Sequence, residues 1–445
     1  MAPAMPWLAT ASVTAPYAQV MHSQTAMRPA QAGQVAYYRG GSKMIYDSTH
    51  FEEMARRDHA LRQQLREAGI RHYLALSTDS LYYLSGLSFE PLERPFFLLL
   101  EVESGRRHLL VPQLEFAHLQ SAWGVEWPDI HSYREYPAPK GEDWQARLLP
   151  LLPPDFAFDA NAPWQLATVL QELGGRACAA LDRVRLVKSD WEIARLERAA
   201  AYAAEGVNRL LARAYDGMSV AEGYALGPRL LRAIIQHEQH FDPLCTKVLL
   251  APWPAPLSAQ PHAIPRLGQR LEGGPHVVIC VVRLDGYTAE CERTFFTRPP
   301  TAEAQDRFKL MCRARSLAES LLRPSAPCAV IDQAVNRFLS EQGFADWHIR
   351  LHRTGHGLGL SNHEGPWLAE GSDDVLRAGM VVSIEPGLYL DKEGGYRHSD
   401  TYVITANGAR CLTLDAPTSL KALTLQAPRP LSRAQGYFVR KAVSA

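Results

Sequence analysis

Three histidines in the C-terminal half of this 445-residue chain have types and spacing that could support catalysis. His262 follows a loop rich in proline and alanine, and His356 and His363 lie seven residues apart in a glycine-rich segment. Imidazole exchanges a proton near neutral pH and can also bind a metal ion. Glycine lets the backbone approach a ligand or a neighbouring strand closely. We therefore predict that the three histidines line an active-site pocket.

An acidic motif downstream adds a carboxylate to this predicted pocket. Residues 381–384, Val-Val-Ser-Ile, are mainly apolar and predict a buried strand that leads into Glu385, and Pro386 and Gly387 then turn the chain. A rigid strand end beside a turn is a common location for a catalytic group. Carboxylates gathered in a partly desolvated pocket repel one another, so either a cation is present or the pKa of at least one of them rises. The pocket is therefore predicted to receive a metal ion or a positively charged substrate.

These residues, together with others along the chain, resemble the creatinase/aminopeptidase P/prolidase superfamily, the pita-bread hydrolases. The resemblance spans residues 46–415. It implies an α/β (α+β) chain in which a creatinase-type N-terminal domain precedes a pseudo-symmetric pita-bread catalytic domain. The segments that carry it are Pro261-His262, Gly286-Tyr287, Arg293-Thr294-Phe295, Gly355-His356-Gly357-Leu358-Gly359, His363-Glu364, Ser383-Ile384-Glu385-Pro386-Gly387, and Gly395-Tyr396-Arg397 with Asp400.

The metal ligands of this superfamily are only partly present. Its peptidases hold two divalent ions with two Asp, one His and two Glu, and the matching positions here are Ile279, Glu290, His356, Glu385 and Ser399. Isoleucine has no lone pair to donate, and a neutral serine hydroxyl is a poor substitute for a carboxylate. Three remaining ligands could hold one ion weakly, but two ions could not share them. The resemblance therefore predicts a metal-poor branch, similar to creatinase and ectoine hydrolase, with no metal and no other cofactor.

Creatinase-like enzymes of this superfamily hydrolyse an amidine-type C–N bond without a metal ion. Carried over to this chain, the resemblance makes His262 the acid/base group, while Glu292 and Glu385 clamp a cationic substrate through charge-assisted hydrogen bonds. His356 and His363 would complete the proton path and orient the reacting centre.

Three further residues are predicted to bind the substrate. Glu290 belongs to the same group of carboxylates, and Arg397 and His398 follow a Gly-Gly pair in a position to bind a substrate carboxylate. For Arg397 the alternative is a structural ion pair with Asp400.

The leading prediction is a metal-independent hydrolase of a C–N bond, amidine or amide, in a small nitrogen-rich metabolite of the creatine or ectoine type. An Xaa-Pro dipeptidase or aminopeptidase with a reduced metal site is the second, and a non-catalytic member that acts as a binding protein is the third. A chelator should abolish activity only in the second. Retention of all three histidines argues against the third.

Sequence periodicity predicts the elements that position the site. Ser189 and Glu192 have the spacing of a capping box, and the apolar residues that follow predict a long helix as far as Leu211. Helix pairs followed by β segments, twice in succession, predict two similar α/β halves. The predicted divisions are a disordered N-terminal extension (residues 1–45), a creatinase-type domain (46–180), the pita-bread domain (181–420) and a C-terminal tail (421–445).

Composition excludes several other classes of protein. Lys and Arg together number 47, as do Asp and Glu, and no basic stripe is present, which argues against nucleic-acid binding. No apolar run approaches the roughly 20 residues of a membrane-spanning helix. The seven cysteines are scattered and odd in number, which predicts reduced thiols in the cytoplasm. The superfamily resemblance further implies a small-molecule substrate and a homodimer.

Overall fold

The computed structural model of this chain describes residues 48–117, 125, 127–135, 137–425 and 429–443. These residues belong to one unit that begins at Tyr46. The predicted N-terminal extension, residues 1–45, lies outside the described residues.

The N-terminal part builds one six-stranded mixed sheet in the order β4-β3-β2-β1-β5-β6. Strand β2 is antiparallel to both of its neighbours, β1 and β3, whereas β3–β4, β1–β5 and β5–β6 pair in parallel. Helices connect and flank these strands, as expected for an α/β domain. The elements are α1 (Ser48–Glu67), β1 (His72–Ala75), α2 (Thr78–Ser85), β2 (Phe97–Glu101), β3 (Arg107–Pro112), β4 (Ile130–Tyr133), α3 (Trp144–Leu148), β5 (Phe156–Asp159), α4 (Trp164–Glu172), β6 (Gly175–Cys178) and α5 (Ala180–Leu186).

The C-terminal part repeats a helices-then-strands order twice, as the sequence predicts. No helix of the described residues is long and apolar enough to cross a membrane. The elements are α6 (Asp190–Leu211), α7 (Val220–Tyr224), α8 (Gly227–His237), β7 (Lys247–Trp253), β8 (His276–Leu284), β9 (Tyr287–Phe295), α9 (Ala302–Leu321), α10 (Cys328–Glu341), α11 (Trp347–Arg350), β10 (Gly355–Gly357), β11 (Glu364–Leu368), β12 (Val381–Ile384), β13 (Gly387–Leu390), β14 (Gly394–Arg397), β15 (Asp400–Thr405), β16 (Gly408–Cys411) and α12 (Pro430–Val443).

Helix α6 forms where the capping box predicts it. The Ser189 hydroxyl accepts a hydrogen bond from the backbone N–H of Glu192, and the Glu192 carboxylate accepts one from the backbone N–H of Ser189. One face of the helix, including Ala203 and Val207, is fully buried in the core that it shares with β8 and β9. The prediction of this helix is confirmed.

The second helical segment of the catalytic part, residues 220–237, consists of two helices. Helix α7 ends at Tyr224 and α8 begins at Gly227, with Pro228 in the first turn of α8. Proline lacks a backbone N–H and its ring clashes with the preceding turn, so it starts a helix well but interrupts a continuous one.

The sheets of the catalytic part meet beneath the predicted site. Strands β7-β8-β9 form one antiparallel sheet, β11-β10-β12-β15-β16 form a second, and β13 and β14 form a hairpin. Glu292 on β9 and Ser399, just before β15, exchange two backbone hydrogen bonds of 2.9 and 3.1 Å. This bridge brings the first half of the domain against the second at the level of the acidic residues.

Part of the segment predicted as a C-terminal tail is helix α12. Its Arg440 forms an ion pair with Glu222 of α7 and donates a hydrogen bond of 3.0 Å to the hydroxyl of Tyr215. Gly436 lets the helix approach closely, because a Cβ there would lie 2.8 Å from that hydroxyl. The helix therefore docks on the folded domain.

Candidate active site

A cavity of about 760 Å³ opens where the two halves of the catalytic part meet. Six residues predicted from the sequence line it: His262, Glu290, Glu292, His363, Glu385 and Arg397. His356 lies directly behind them, with its ring centroid 4.0 Å from that of His363. Most of the predicted site residues are therefore brought together, although they come from segments more than 100 residues apart.

Strand alternation explains why two of the glutamates share one face of β9. Side chains two residues apart on a strand point to the same side, so Glu290 and Glu292 both face the cavity. In the antiparallel pairing with β8, Ile279 lies opposite Glu292 and Val281 lies opposite Glu290. The intervening Cys291 faces the core.

Glycines allow strand β10 to carry His356 between two neighbouring strands. A Cβ on Gly355 would lie less than 3.0 Å from the carbonyl oxygen of Ser383. A Cβ on Gly357 would lie less than 3.0 Å from the carbonyl oxygen of Gly365. Neither backbone can move away without disrupting its sheet. The glycine-rich pattern therefore serves close strand packing around the histidine.

His356 presents one ring nitrogen to the carboxylates. Its Nδ1 lies 3.1 Å from the carbonyl oxygen of Gly357, which assigns the proton to Nδ1 in the neutral ring. Its Nε2 is buried, has no well-aligned hydrogen-bond partner among the described residues, and lies 3.2 Å from Glu385 and 3.7 Å from Glu290. Burial lowers the pKa of His356, but the charges of Glu290 and Glu385 outweigh burial and raise that pKa to about 9.

Three carboxylates lie close together at the cavity, and Arg397 is paired with one of them. Burial raises the pKa of Glu290, and the nearby charge of Glu385 adds to this effect. Burial also raises the pKa of Glu292, and the ion pair with Arg397 opposes that shift. Burial raises the pKa of Glu385, but the close contact with His356 and the charges of His352, His356 and Arg397 together outweigh burial and lower that pKa. Such a site is suited to a cation.

Arg397 is paired with Glu292, and the predicted structural alternative is corrected. The Nε of Arg397 donates to the Glu292 carboxylate, and both side chains are buried. Asp400, the other partner considered from the sequence, instead pairs with Arg293 at 2.7 Å and with Arg315 at 2.8 Å. Asp400 therefore anchors the core, and Arg397 faces the cavity.

His398 does not reach the cavity, which corrects its predicted role in substrate binding. Its side chain is completely buried and packs edge-on against Phe308 of α9. Because side chains alternate along an extended chain, the residue after Arg397 points to the opposite side. Burial lowers the pKa of His398 well below its usual value, so the ring stays neutral in the core.

Two residues that the sequence analysis did not select extend the site behind Arg397. Arg397 donates a hydrogen bond of 3.0 Å to the hydroxyl of Tyr389. That hydroxyl lies 2.6 Å from Nε2 of His352, whose Nδ1 lies 2.8 Å from the carbonyl oxygen of Arg353. Nδ1 therefore carries the ring proton, and the tyrosine donates to Nε2. The available signal was the position of His352, four residues before His356 in the same motif.

Arg353 also lines the cavity and was not selected from the sequence. Its guanidinium lies 4.5 Å from the ring centroid of Trp367, and among the described residues no carboxylate is within ion-pair distance of it. The lining also has an apolar part, which includes Leu249, Trp253 and Val281. The cavity thus combines a cation that has no ion-pair partner with an apolar surface.

A two-metal centre does not fit this set of residues. Ile279 faces the cavity where the first ligand would be, and the Ser399 hydroxyl donates a hydrogen bond of 2.8 Å to Glu290. Glu292 is occupied by Arg397. Neither a second complete ligand set nor a bridging pair of carboxylates remains.

One metal ion does fit. Donor atoms of Glu290, His356 and His363 all lie within 4.8 Å of one another. The free Nε2 of His356 is the atom that a metal-binding histidine would offer, because its Nδ1 is already bonded to a carbonyl. Glu385 adjoins the same nitrogen and could supply a fourth ligand.

Two family models match the two parts of the chain. The Creatinase/Prolidase N-terminal domain matches residues 57–188, and Metallopeptidase family M24 matches residues 194–406. An uncharacterized peptidase of Staphylococcus aureus strain MW2 is 26% identical over 335 residues, which are 75% of this chain and 92% of the relative. An Xaa-Pro dipeptidase of Pyrococcus furiosus is 30% identical over 231 residues, which are 52% of this chain and 64% of the relative.

Solved structures agree with this assignment. Dipeptidase PepE from Mycobacterium ulcerans has a TM-score of 0.71 and 25% identity, and the match covers 84% of this chain and 99% of that one. The predicted α/β class is confirmed, with a creatinase-type domain followed by a pita-bread domain. This chain is therefore a member of the creatinase/aminopeptidase P/prolidase superfamily, with a catalytic domain of the M24 hydrolase type.

Proposed function

We propose that this protein hydrolyses the amide bond of a small dipeptide-like substrate, of the Xaa-Pro type, with one divalent metal ion. The observation that carries the proposal is the cluster of Glu290, His356 and His363, whose donor atoms lie within 4.8 Å of one another at the cavity. Relatives named as Xaa-Pro dipeptidases and prolidases support the substrate class.

Charge balance supports a single divalent ion. Glu290, Glu292 and Glu385 carry three negative charges when ionised, and Arg397 neutralises one of them. One divalent ion, held by Glu290, His356, His363 and Glu385, would neutralise the other two and take the place of the proton that these carboxylates otherwise favour on His356. When bound, such an ion polarises a substrate carbonyl and lowers the pKa of a water molecule.

The remaining residues of the cavity have complementary tasks. Arg353 can bind the carboxylate of a dipeptide, because a guanidinium forms two parallel hydrogen bonds with such a group. The apolar wall that contains Leu249, Trp253 and Val281 suits the ring of a proline residue. His262 is exposed at the cavity and can protonate the leaving nitrogen as a general acid.

Metal-independent hydrolysis of a cationic metabolite, the leading prediction from the sequence, is the second candidate. Ile279 and Ser399 favour it, since they remove two of the metal ligands. The Arg397–Glu292 ion pair counts against it, because a guanidinium of the protein already occupies one of the two glutamates that would clamp a cationic substrate.

Metal analysis and a substrate screen test the proposal together. We expect about one divalent ion per chain in the purified full-length protein, and hydrolysis of Xaa-Pro dipeptides that stops on chelation and returns when Mn²⁺ or Zn²⁺ is added. Turnover of creatine or ectoine that survives chelation would establish the second candidate instead. Two tightly bound ions per chain, or neither ion nor turnover, would overturn the one-metal peptidase.

We also propose that the protein is a cytoplasmic homodimer. The apolar Leu249 and Leu351 line the cavity but are 40% and 44% exposed, as expected if another chain covers its mouth. All seven cysteines are free thiols, which suits a reducing compartment. Light scattering of the purified protein should give twice the chain mass of 49.5 kDa, and a monomer at micromolar concentration would contradict the dimer.

A further inference from the structure

A buried charged network lies beside the cavity and holds the turn that carries His363. We call it the anchor network and define it by five residues: Asp79, Arg185, Lys188, Ser361 and Glu364. Asp79 belongs to α2 of the N-terminal domain, whereas Arg185 and Lys188 lie at the connection between the domains. The network therefore links three separate parts of the chain at one turn.

Glu364, the residue after His363, is held by two cations. Its carboxylate accepts hydrogen bonds of 2.6 Å from Arg185 and 2.9 Å from Lys188, whose side chains are 7% and 1% exposed. Gly359 makes room for this carboxylate, because a Cβ there would lie less than 3.0 Å from it. The chain on the C-terminal side of His363 is therefore firmly fixed.

Ser361, two residues before His363, is held by the N-terminal domain. Its hydroxyl donates a hydrogen bond of 2.5 Å to Asp79, and its backbone N–H donates one of 3.3 Å to Glu364. Asp79 is oriented in turn by Arg283 of β8, which donates to it at 3.1 Å. The chain on the N-terminal side of His363 is therefore fixed as well.

The ring of His363 depends on these two anchors. Its side chain is exposed at the cavity, and its ring contact is with the buried His356 at 4.0 Å. The backbone sets the positions of Cα and Cβ of His363, so a shift of the turn would move the imidazole away from His356. The groups that fix the turn would then decide how well His363 can act as a ligand.

We propose that Asp79, Ser361 and Glu364 are positioning residues that hold His363 in the metal cluster, and that the N-terminal domain thereby sets the affinity of the active site for its ion. This inference rests on the proposed one-metal function. It differs from a purely structural role, in which the network would stabilise the contact between the domains without affecting the site.

Metal titration of the metal-stripped full-length protein tests the inference, with Asp79→Asn, Ser361→Ala and the double variant. We expect each single change to weaken Mn²⁺ binding by roughly 10- to 100-fold, as for other groups that orient metal ligands. The double variant should be little weaker than the more affected single one, because both changes break the same hydrogen bond. Asp143→Asn, which removes a carboxylate charge elsewhere in the same domain while its amide oxygen can still cap α3, should bind Mn²⁺ as the wild type does.

A His363→Ala background shows whether the network acts through this histidine. There, adding Asp79→Asn should cause no further loss of Mn²⁺ affinity. If Asp79→Asn lowers the melting temperature but leaves Mn²⁺ affinity unchanged, the role is structural and the inference is overturned.

Amide hydrogen exchange separates this inference from the proposed function. If the wild type binds no ion, the proposed function fails. The rate of amide hydrogen exchange in residues 358–364 then shows whether the network holds the turn of His363 in place. Faster exchange in Asp79→Asn than in Asp143→Asn would uphold the anchoring of His363, and equal exchange would overturn it.

Discussion

At the scale of single residues, the unusual feature of the site is the position of the Glu292 carboxylate. Ile279 and Glu292 are direct cross-strand partners, so the acidic group of Glu292 lies beside the position where an aliphatic residue replaces a ligand. The Cβ atoms of directly opposite residues on two paired strands are about 5 Å apart. At that distance the carboxylate of Glu292 could reach the place that a ligand at position 279 would occupy. The carboxylate of Glu292 is nevertheless committed to Arg397 and is not free to hold a metal.

Removing the charge of Glu292 should destabilise the protein. Glu292→Gln would leave Arg397 buried without a counter-charge, and breaking a buried ion pair typically costs on the order of 3 kcal/mol. Urea unfolding should show this loss, whereas Glu303→Gln on the exposed first turn of α9 should cost much less, because solvent screens a charge at an exposed helix N-terminus. Equal stability of Glu292→Gln and the wild type would show that Arg397 does not require this partner.

The buried His276 should make folding sensitive to acid. Burial lowers its pKa to about 3, and its Nδ1 accepts a hydrogen bond of 2.9 Å from the backbone N–H of Ala255, so the folded protein requires the neutral ring. The unfolded chain takes up a proton below about pH 6.5 and the folded chain does not until about pH 3, so this contribution is fully present above pH 6.5 and is lost as the pH falls.

His276→Asn isolates this contribution, because its Oδ1 can accept the same hydrogen bond but does not titrate. Between pH 6.5 and 4, the unfolding free energy of the wild type should fall more steeply than that of the variant, by up to about 1.4 kcal/mol per pH unit. Identical slopes for the two proteins would contradict the assignment of a neutral His276.

At the scale of elements, strand β10 has the least freedom in the site. It carries His356 between β11 and β12, and both of its other residues are glycines that approach carbonyl oxygens of those neighbours. Close packing against β11 on one side and β12 on the other therefore fixes the position of this short strand. The precision with which His356 faces Glu385 and Glu290 follows from that packing.

Adding a single methyl group to this strand should be costly. Gly357→Ala would bring a Cβ within 3.0 Å of the Gly365 carbonyl oxygen, and overpacking of this kind costs about 1–3 kcal/mol. Gly371→Ala is the matched control, because no heavy atom lies within 4 Å of a Cβ there. Thermal unfolding should separate the two variants, and similar melting temperatures would show that the strand can adjust.

At the scale of the whole molecule, function depends on contacts between distant parts of the chain. The anchor network joins α2 to the turn of His363, and Arg57 of α1 donates a hydrogen bond of 2.6 Å to the hydroxyl of Tyr287 on β9. Arg57 is almost fully buried and also pairs with Glu53. The N-terminal domain is thus connected to the catalytic domain by buried polar contacts.

Binding of one ion should stabilise the whole protein. A ligand that binds only the folded state adds about 2.7 kcal/mol when its free concentration is roughly 100 times Kd. We expect Mn²⁺ to raise the melting temperature of the stripped protein with a stoichiometry near one, and Glu290→Gln to abolish most of this effect. Equal stabilisation of both proteins by Mn²⁺ would show that the ion binds elsewhere.

The sequence by itself determined those residues of the site that follow from motif spacing or from strand alternation. His262, His356, His363 and Glu385 were identified because their motifs keep a fixed spacing, and β9 presents Glu290 and Glu292 together because strand alternation is a property of any extended chain. Helix α6 likewise follows from its capping box and from its apolar periodicity. The order of the motifs gave the family, which the comparisons confirm.

Only the tertiary structure decided which charged groups pair. Arg397 lies three residues from Asp400 but bonds to Glu292, 105 residues away, because the bridge between β9 and Ser399 brings those strands together. The same packing buries His398 and recruits His352 and Tyr389 behind the cavity. Pairing across such separations depends on the register between sheets and on the space left in the core, and sequence spacing encodes neither.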